Sequence, residues 1–186
     1  MNKHFENLEF YLPTLSKSSV LDVGSGKGKF LVSAALRGAH AAGLAMYRPY
    51  IQATEARAKE NGVSVEVREG KGEALPFGDT SFDFVNLSEV LEHVEDWERV
   101  IQEVYRVLKI GGHAYVSVPN RFGILDQHFH LWFLNWMPRS WAERYVSLRR
   151  KHKDYAIANG RQKISEMYYD TYNGARKKFQ EAGFTT

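Results

Sequence analysis

The sequence contains no cysteine among its 186 residues. This absence excludes a disulfide scaffold, a cysteine nucleophile, a zinc–thiolate site and an iron–sulfur cluster. No apolar run approaches the roughly 18 residues that a membrane-spanning helix needs. The first ten residues, MNKHFENLEF, lack the apolar core of a signal peptide. We therefore expect a cytoplasmic protein without a transmembrane segment.

The composition is that of an ordinary folded domain. Apolar residues make up 44% of the chain and charged residues 25%, as in typical globular proteins. A chain of this length can bury about 70% of the surface that it exposes when unfolded. No internal repeat or low-complexity stretch interrupts it, so we expect a single domain over residues 1–186.

Positive charge is concentrated late in the chain. Residues 139–178 hold 11 Lys/Arg and 4 Asp/Glu, whereas residues 1–138 hold 14 Lys/Arg and 17 Asp/Glu. Such a basic segment either attracts an anionic partner or forms a solvated helix face. No nucleic-acid-binding motif accompanies it, so we predict no nucleic-acid partner.

Short β-type runs alternate with helical runs up to Asn120. The predicted strands cover residues 19–23, 41–45, 63–67, 82–87 and 114–118. The predicted helices cover residues 29–37 and 49–61, a segment after Asp96 that ends at Gly111–Gly112, and residues 169–182. This alternation predicts an α/β fold with a doubly wound, mostly parallel sheet.

The regular alternation stops after residue 120. Residues 121–150 hold three of the four tryptophans, and the stretch is too long for a simple connecting loop. We predict a helical insertion, aromatic and basic, over about residues 121–168. Its aromatic residues form either a lid over a substrate or a helix pair that packs on the sheet, since both arrangements need apolar area.

A glycine-rich turn, GSGKG, joins the first strand to the first helix. Backbone N–H groups in such a turn can approach a ligand at a helix N-terminus. The phosphate-loop pattern G-x-x-x-x-G-K-[S/T] is broken by Leu21 and Gly28, and the dinucleotide pattern G-x-G-x-x-G is met only in part. The pattern D-x-G-x-G-x-G is met in full by Asp22, Gly24, Gly26 and Gly28.

Three further segments follow the glycine turn: EALPFGDTSFDFV at 73–85, LSEVLEHVEDW at 87–97 and EVYRVLKIGGHAYVSVPN at 103–120. With them, residues 19–120 resemble the class I S-adenosylmethionine-dependent methyltransferases, especially the group that acts on small molecules. The resemblance implies a Rossmann-like fold and an enzyme that uses S-adenosylmethionine as its cofactor. It also implies in-line transfer of the methyl group to a small-molecule acceptor.

The resemblance implies a cofactor site at the ends of the strands. The glycine turn would hold the amino-acid part of the cofactor, the end of the second strand would meet the ribose, and the loop after the third strand would lie beside the adenine. Backbone at the end of the fourth strand would face the ammonium group. The implied cofactor-binding residues are Asp22, Gly24, Ser25, Gly26, Gly28, Ala45, Met46, Lys71, Gly72, Glu73, Leu87 and Ser88.

Two positions depart from the family pattern. Ala45 stands where an acid normally chelates both ribose hydroxyls, through bonds worth about 1.5–3 kcal/mol each. Lys71, which has only donors, stands where an acid normally accepts a bond from the adenine amino group, and Glu69 and Glu73 are alternative acceptors. These departures motivate a second hypothesis, a methyltransferase-like scaffold or partner protein with weakened or lost cofactor binding. A nicotinamide dehydrogenase is a third, minor alternative.

Transfer to a hydroxyl requires a base that takes the proton. The candidate catalytic residues are His93, just after the fourth strand, and His128 and His130, at the start of the insertion. Each of them can instead have a structural or surface role. We interpret Glu89 and Glu92 as helix-surface or capping residues. No third ligand is evident beside the two nearby histidines, so we predict no metal site.

The aromatic insertion beside a basic segment favours an amphiphilic acceptor, linked to a lipid or a sugar. The family's sheet normally has seven strands, and this sequence ends at GFTT, where the sixth would begin. We therefore expect a sheet that lacks the C-terminal β-hairpin. The fifth strand would then be an open edge able to pair with another chain, which favours a homodimer.

Overall fold

The computed structural model describes residues 15–126, 128–149, 154–155, 160–161 and 163–186. The strands are β1 (Ser19–Val23), β2 (His40–Ala45), β3 (Glu66–Glu69), β4 (Phe82–Ser88), β5 (Leu108–Ser117), β6 (Asp154–Tyr155) and β7 (Gly160–Arg161). The α-helices are α1 (Lys29–Leu36), α2 (Arg48–Glu60), α3 (Trp97–Val107), α4 (Arg139–Leu148) and α5 (Tyr172–Glu181). None of these helices is both long and apolar enough to cross a bilayer.

The main sheet has five strands in the order β3-β2-β1-β4-β5, and all of its pairings are parallel. The chain moves outward from β1 to β3 and then returns to the other side of β1 as β4. This reversal of direction leaves a crevice at the carboxyl ends of β1 and β4, where open α/β sheets bind ligands. The predicted doubly wound parallel sheet is therefore confirmed.

Apolar residues alternate between the two faces of β1, as the pleat of a strand requires. Leu21 and Val23 pack with β4, α3 and Phe179 of α5 in one buried cluster. Val20 packs with α1 and Phe84 in a second cluster on the opposite face. Helices therefore cover both faces of the sheet, and the central strands are buried on both sides.

The predicted end of α3 is wrong. The helix ends at Val107, and the next residue, Leu108, is already extended and pairs with Phe82. Gly111–Gly112 lie inside β5, where the pairing with β4 shifts register between Phe82 and Phe84. The glycines thus accommodate an irregularity in the strand rather than a helix stop.

Smaller boundary errors occur elsewhere in the chain. β3 begins at Glu66 rather than residue 63, because its pairing with β2 starts at Ala42 opposite Glu66. The last helix begins at Tyr172, after the side chain of Thr171 accepts a bond from the N–H of Gly174. Such N-caps set helix starts more sharply than apolar periodicity does.

The insertion is only partly helical. Besides α4 it contains 3₁₀ turns at Leu134–Trp136 and Ile164–Glu166, and an antiparallel pair formed by β6 and β7. It has its own small core. Its three tryptophans lie outside that core, at 58–71% exposure, so they are not packed as the helix-pair alternative requires.

The loop between β3 and β4 is fastened to α3 by Arg106. Its guanidinium donates to the backbone oxygens of Leu75 and Phe77 and to the carboxylates of Asp79 and Glu103. Glu103 also accepts the N–H of Leu75, and the Arg106 guanidinium lowers the pKa of that carboxyl group. The loop that carries the implied adenine-binding residues is therefore held by several charge-assisted bonds.

Candidate functional site

The glycine turn at the carboxyl end of β1 has a left-handed backbone at three residues. Gly24, Gly26 and Gly28 have φ angles of 74°, 51° and 70°, which L-residues with side chains rarely adopt. The hydroxyl of Thr54 on α2 donates to the carbonyl of Gly26 (3.2 Å). Arg57, also on α2, donates from its Nε to the carbonyl of Lys27 (2.9 Å). The turn is thus held from the α2 side.

The three glycines differ in what lies beside them. A Cβ atom on Gly28 would overlap the side chain of Thr54, and one on Gly24 would overlap Val90. A Cβ on Gly26 would meet nothing within 4 Å. Gly24 and Gly28 are therefore needed for packing, whereas the space beside Gly26 is open.

Asp22, the acid of the glycine motif, is buried in β1 at 4% exposure. Asn86 of β4 donates to its carboxylate at 2.6 Å. Burial raises the pKa of Asp22 to about 7, and the bond from Asn86 offsets only part of this effect. The carboxyl group therefore ionises near neutral pH.

Three buried polar atoms near this edge of the sheet have no hydrogen-bond partner among the described residues. They are Ser25 Oγ, Asn86 Oδ1 and Glu73 Oε2. Buried polar atoms are normally satisfied. Polar atoms without a partner in this region fit a polar ligand such as the amino-acid and nucleoside parts of S-adenosylmethionine.

The other implied cofactor-binding residues follow neighbouring strands and meet at the same edge. Ala45 ends β2 at 2% exposure, and its carbonyl accepts the N–H of Gly70. Met46 and Lys71 are exposed, Gly72 and Leu87 are buried, and Glu73 and Ser88 are half-buried. The fold thus brings the twelve residues to adjacent strand ends, and their binding roles stay predictions.

The two departures from the family pattern have different structural outcomes. At Ala45 the side chain itself cannot accept a hydrogen bond from the ribose hydroxyls. Near Lys71, by contrast, Glu73 offers a buried carboxylate oxygen, whereas Glu69 is exposed at the end of β3. The residues at the turn and on the implied adenine side fit S-adenosylmethionine, whereas Ala45 offers no charged group for the ribose.

Two of the three candidate histidines come together. His93 lies in a 3₁₀ turn (Leu91–His93) after β4, and its ring packs edge-on against that of His128, with 5.7 Å between centroids. His128 Nε2 lies 3.2 Å from Glu92 Oε1. One potential ligand atom from each of these three residues lies within 4.8 Å of the others. His130 is exposed and lies outside this group.

The prediction that Glu92 is a helix-surface or capping residue is wrong. Its side chain is fully buried, and one carboxylate oxygen has no partner among the described residues. Glu92 is buried because the insertion folds back over the turn after β4 and places His128 against it. Local helical periodicity cannot show a contact between residues 36 positions apart.

Two residues beside the cluster were missed by the sequence analysis. Asp126 is fully buried, and its carboxylate accepts the N–H groups of His128 and Phe129 and the hydroxyl of Tyr169. Burial and the nearby Asp126 carboxylate raise the pKa of Tyr169. An Asx-type turn at Asp126 was the available signal, but nothing local indicates the bond to Tyr169.

A separate groove of about 540 Å³ lies between the start of α3, residues 167–170 and α5. Its lining combines acidic and basic side chains, and the ammonium of Lys178 pairs with Asp170 at 2.8 Å. Neither the glycine turn nor the histidine cluster lines it. The glycine turn, with its open space beside Gly26, lies elsewhere in the fold.

Comparison with known proteins identifies the relatives of this chain. Residues 21–116 match the methyltransferase domain family. A ubiquinone biosynthesis O-methyltransferase of Marinobacter nauticus is 31% identical over 176 residues, which cover 90% of this chain and 73% of the relative. A protein of the same name from Pseudomonas putida is 39% identical over 109 residues, 58% of this chain and 47% of the relative. The second match thus spans about half of its relative.

Solved structures share the same fold. A SAM-dependent methyltransferase from Methanosarcina mazei superimposes with a TM-score of 0.70 at 23% identity, covering 98% of this chain and 84% of that one. An S-adenosylmethionine-dependent methyltransferase from Mesorhizobium loti gives 0.69 at 19% identity, with 99% and 82% covered. At this identity the likeness establishes the architecture.

The raised pKa of Asp22 predicts a pH-dependent cost of burial. Above about pH 4 the unfolded chain ionises this group, whereas the folded chain keeps its proton up to about pH 7. Wild-type stability should therefore fall relative to Asp22→Asn as the pH rises from about 4 to 7, and stay level above that. We expect the difference in unfolding free energy between the two proteins to change by roughly 2–4 kcal/mol over this range.

Urea unfolding of both proteins across this pH range measures the difference in unfolding free energy. The contributions of other titrating groups are the same in both proteins and cancel in this difference. Asn can accept the same bond from Asn86, so the variant keeps the local contact. A difference in unfolding free energy that does not vary with pH would show that Asp22 ionises normally in the folded protein.

Proposed function

The chain belongs to the class I S-adenosylmethionine-dependent methyltransferases, and from this premise we propose that it methylates a hydroxyl oxygen of a small, partly apolar acceptor. The observation that carries the proposal is the glycine turn, with its three left-handed glycines and the open space beside Gly26. This turn lies at the crevice between β1 and β4, where the order of the sheet reverses.

Bound S-adenosylmethionine supplies an activated methyl group and its leaving group. The protein has to hold the methyl carbon in line with the acceptor and keep water away. We assign the amino-acid part to the backbone N–H groups of the turn and to Ser25, whose hydroxyl is buried without a partner among the described residues. Leu87 and Ser88 would present backbone at the end of β4.

We assign the adenine amino group to Glu73. One of its carboxylate oxygens is buried and has no partner among the described residues, and its backbone carbonyl is fixed by Arg99 Nε at 3.2 Å. The carboxylate of Glu73 can accept the bond that Lys71 cannot. The ribose has no charged partner at Ala45, so we expect weaker cofactor binding than an acid there would give.

We propose a hydroxyl as the acceptor group. The two relatives are named O-methyltransferases. In the cluster of Glu92, His93 and His128, the first two residues follow β4 at the same edge of the sheet, and His128 contacts them from the insertion. We assign the loss of the hydroxyl proton to this cluster. The acceptor oxygen then bonds to the methyl carbon as the carbon–sulfur bond breaks, which yields a methyl ether, S-adenosylhomocysteine and one released proton.

An apolar portion of the acceptor is supported by the insertion, which leaves the sheet at the end of β5. Phe122, Phe133 and Trp136 are 54–58% exposed there, and the rings of Phe122 and Trp136 are in contact. Exposed apolar groups gathered in this way often mark a binding surface. We propose that they contact a lipid-like part of the acceptor.

The proposal is tested by methyl transfer from radiolabelled S-adenosylmethionine to matched acceptors. Phenols, catechols and sugar hydroxyls are assayed with and without an alkyl or prenyl chain. We expect label in a methyl ether and a lower KM when the chain is present. Transfer to amines alone would overturn the choice of oxygen, and equal KM values with and without the chain would overturn the apolar contact.

The open space beside Gly26 predicts a separation of binding from stability. In Gly26→Ala a Cβ would enter the space assigned to the cofactor, so affinity for S-adenosylhomocysteine should fall at least about tenfold, or ~1.4 kcal/mol. Stability should fall by only about 1–2 kcal/mol, the cost of a left-handed alanine. Calorimetric titration and urea unfolding measure the two effects.

Gly62→Ala is the matched control, since Gly62 also has a positive φ and open surroundings but follows α2. It should show the same loss of stability with unchanged affinity. Gly28→Ala should instead lose more stability, because its Cβ would overlap Thr54. Unchanged affinity in Gly26→Ala would mean that the ligand does not lie over this turn.

The missing ribose acid predicts a gain of function. Ala45→Asp should strengthen binding of S-adenosylhomocysteine by about tenfold or more, because a carboxylate supplies two charge-assisted bonds worth roughly 1.5–3 kcal/mol each. Ala45→Asn, of the same size but uncharged, should gain less. Titration calorimetry gives both affinities, and urea unfolding checks that each variant is folded.

The same titrations separate the enzyme from a scaffold that has lost its cofactor. A wild type that binds no cofactor, with binding created only in Ala45→Asp, would favour the scaffold. If folded Ala45→Asp binds no more tightly than wild type, the ribose does not lie at the end of β2.

A further inference from the structure

We propose that the groove between the start of α3, residues 167–170 and α5 binds a sugar, and that this sugar is the glycosyl part of the methyl acceptor. The groove has a volume of about 540 Å³, within the roughly 300–1,000 Å³ of small-molecule sites. Four acidic, two basic and three aromatic residues line it. The role in the acceptor rests on the proposed function, whereas the binding of a sugar does not.

The indole of Trp97 is a hydrogen-bond donor at the wall of the groove. Trp97 lines the groove at 7% exposure, and its Nε1 atom is buried without an acceptor in the described part of the chain. A buried indole N–H normally has a hydrogen-bond partner. A ligand oxygen bound at this wall would supply the missing acceptor.

Lys178 of α5 holds the indole in position. Its ammonium lies 4.8 Å from the centre of the Trp97 ring and 2.8 Å from Asp170 Oδ2. The other carboxylate oxygen of Asp170 accepts the backbone N–H of Thr171, directly before α5. This wall is therefore ordered before a ligand arrives, which lowers the entropic cost of binding.

Arg139 is a second donor at the groove. Its guanidinium donates to the carbonyl of Met167 at 3.0 Å and lies over the ring of Tyr169, 5.2 Å from the centroid. It forms no ion pair with any residue that the structure describes. Burial, together with repulsion from Arg121, lowers the pKa of Arg139. Since a guanidinium has five N–H groups, several of them remain available to a ligand.

The start of α3 adds hydrogen-bond acceptors. Glu95 and Glu98 line the groove with exposed side chains and form no ion pair within residues 15–126, 128–149 and the other described ranges. Asp96, by contrast, caps α3 by accepting the N–H of Arg99 at 2.9 Å. Two carboxylates therefore remain available to accept hydrogen bonds from a ligand.

The mixture of donors and acceptors selects a neutral ligand with several hydroxyl groups. A hydroxyl both donates and accepts hydrogen bonds, so one sugar can accept from Trp97 and Arg139 while it donates to the carboxylates of α3. A phosphate or another simple anion would be repelled by those carboxylates. An amine would be repelled by Arg139 and would leave the indole N–H without an acceptor.

Tyr168 connects the groove with the residues assigned to proton transfer. Its side chain lines the groove at 49% exposure, and an aromatic ring can pack against the C–H face of a sugar. Its backbone N–H donates to the carbonyl of Glu92 at 2.9 Å, and the ring of the next residue, Tyr169, stacks on that of His128. The groove therefore borders the cluster of Glu92, His93 and His128, and a sugar bound there can belong to the acceptor whose hydroxyl is methylated.

The test records proton–nitrogen correlation NMR spectra of the full chain without cofactor. The methyl glycosides of glucose, galactose, rhamnose and N-acetylglucosamine are added in turn, with sodium phosphate and putrescine as the charged comparison ligands. Of the four tryptophan indole signals, that of Trp97 is the one lost in Trp97→Phe. We expect at least one glycoside to shift this signal to saturation, with a Kd of about 1–10 mM, and neither charged ligand to do so. Tyr168→Ala should weaken sugar binding by roughly 2–10-fold.

Tyr172→Ala is the matched control, because Tyr172 is an exposed tyrosine that does not line the groove, and it should leave sugar affinity unchanged. If Trp97→Phe does not fold, resonance assignment of the wild type identifies the signal, and the exposed Tyr168→Ala still decides the matter. The sugar site is overturned if no glycoside shifts the Trp97 signal to saturation, or if only phosphate or putrescine does. It is also overturned if folded Tyr168→Ala binds the sugar as tightly as wild type does.

The role in the acceptor is tested by methyl transfer to a catechol glycoside of the sugar that binds. Tyr168→Ala should raise KM more than it lowers kcat, because the sugar is held away from the reacting oxygen. An unchanged KM, or no transfer to the glycoside, would overturn this role. Sugar binding without cofactor binding would refute the proposed function and leave the sugar site standing, and cofactor binding without sugar binding would do the reverse.

Discussion

The site depends on a backbone constraint, the left-handed conformation of three glycines directly after β1. This conformation turns the chain sharply between the central strand and α1, at the point where the sheet order reverses. The turn is packed against Thr54 on one side and Val90 on another, while Gly26 faces open space. Open space and close packing are therefore found at different glycines of the same motif.

A second constraint joins the insertion to the carboxyl-end edge of the sheet. The contact between Glu92 and His128 and the bonds of Asp126 bury polar groups at this junction. Buried polar networks of this kind fix one arrangement, because any other arrangement leaves charges without partners. The insertion thus places His128 beside His93, and its aromatic residues Phe122, Phe133 and Trp136 remain exposed.

Features that depend on neighbouring residues were predictable from the sequence. The glycine turn, the alternation of strands and helices and the order of the family segments are local patterns, and they led to the fold and to the residues at the strand ends. Features that depend on contacts between distant residues were not predictable from the sequence. Glu92 is buried because residues 36 positions later fold over it, and Gly111–Gly112 lie in a strand because β4 pairs with them across a register shift.

The central claim is that the turn after β1 binds the nucleoside cofactor. Calorimetric titration of the wild-type protein with S-adenosylhomocysteine, with NAD as the comparison ligand, tests it most directly. We predict one binding site for S-adenosylhomocysteine per chain and no heat from NAD. The absence of heat from S-adenosylhomocysteine at millimolar concentration, or equal binding of NAD, would contradict the account.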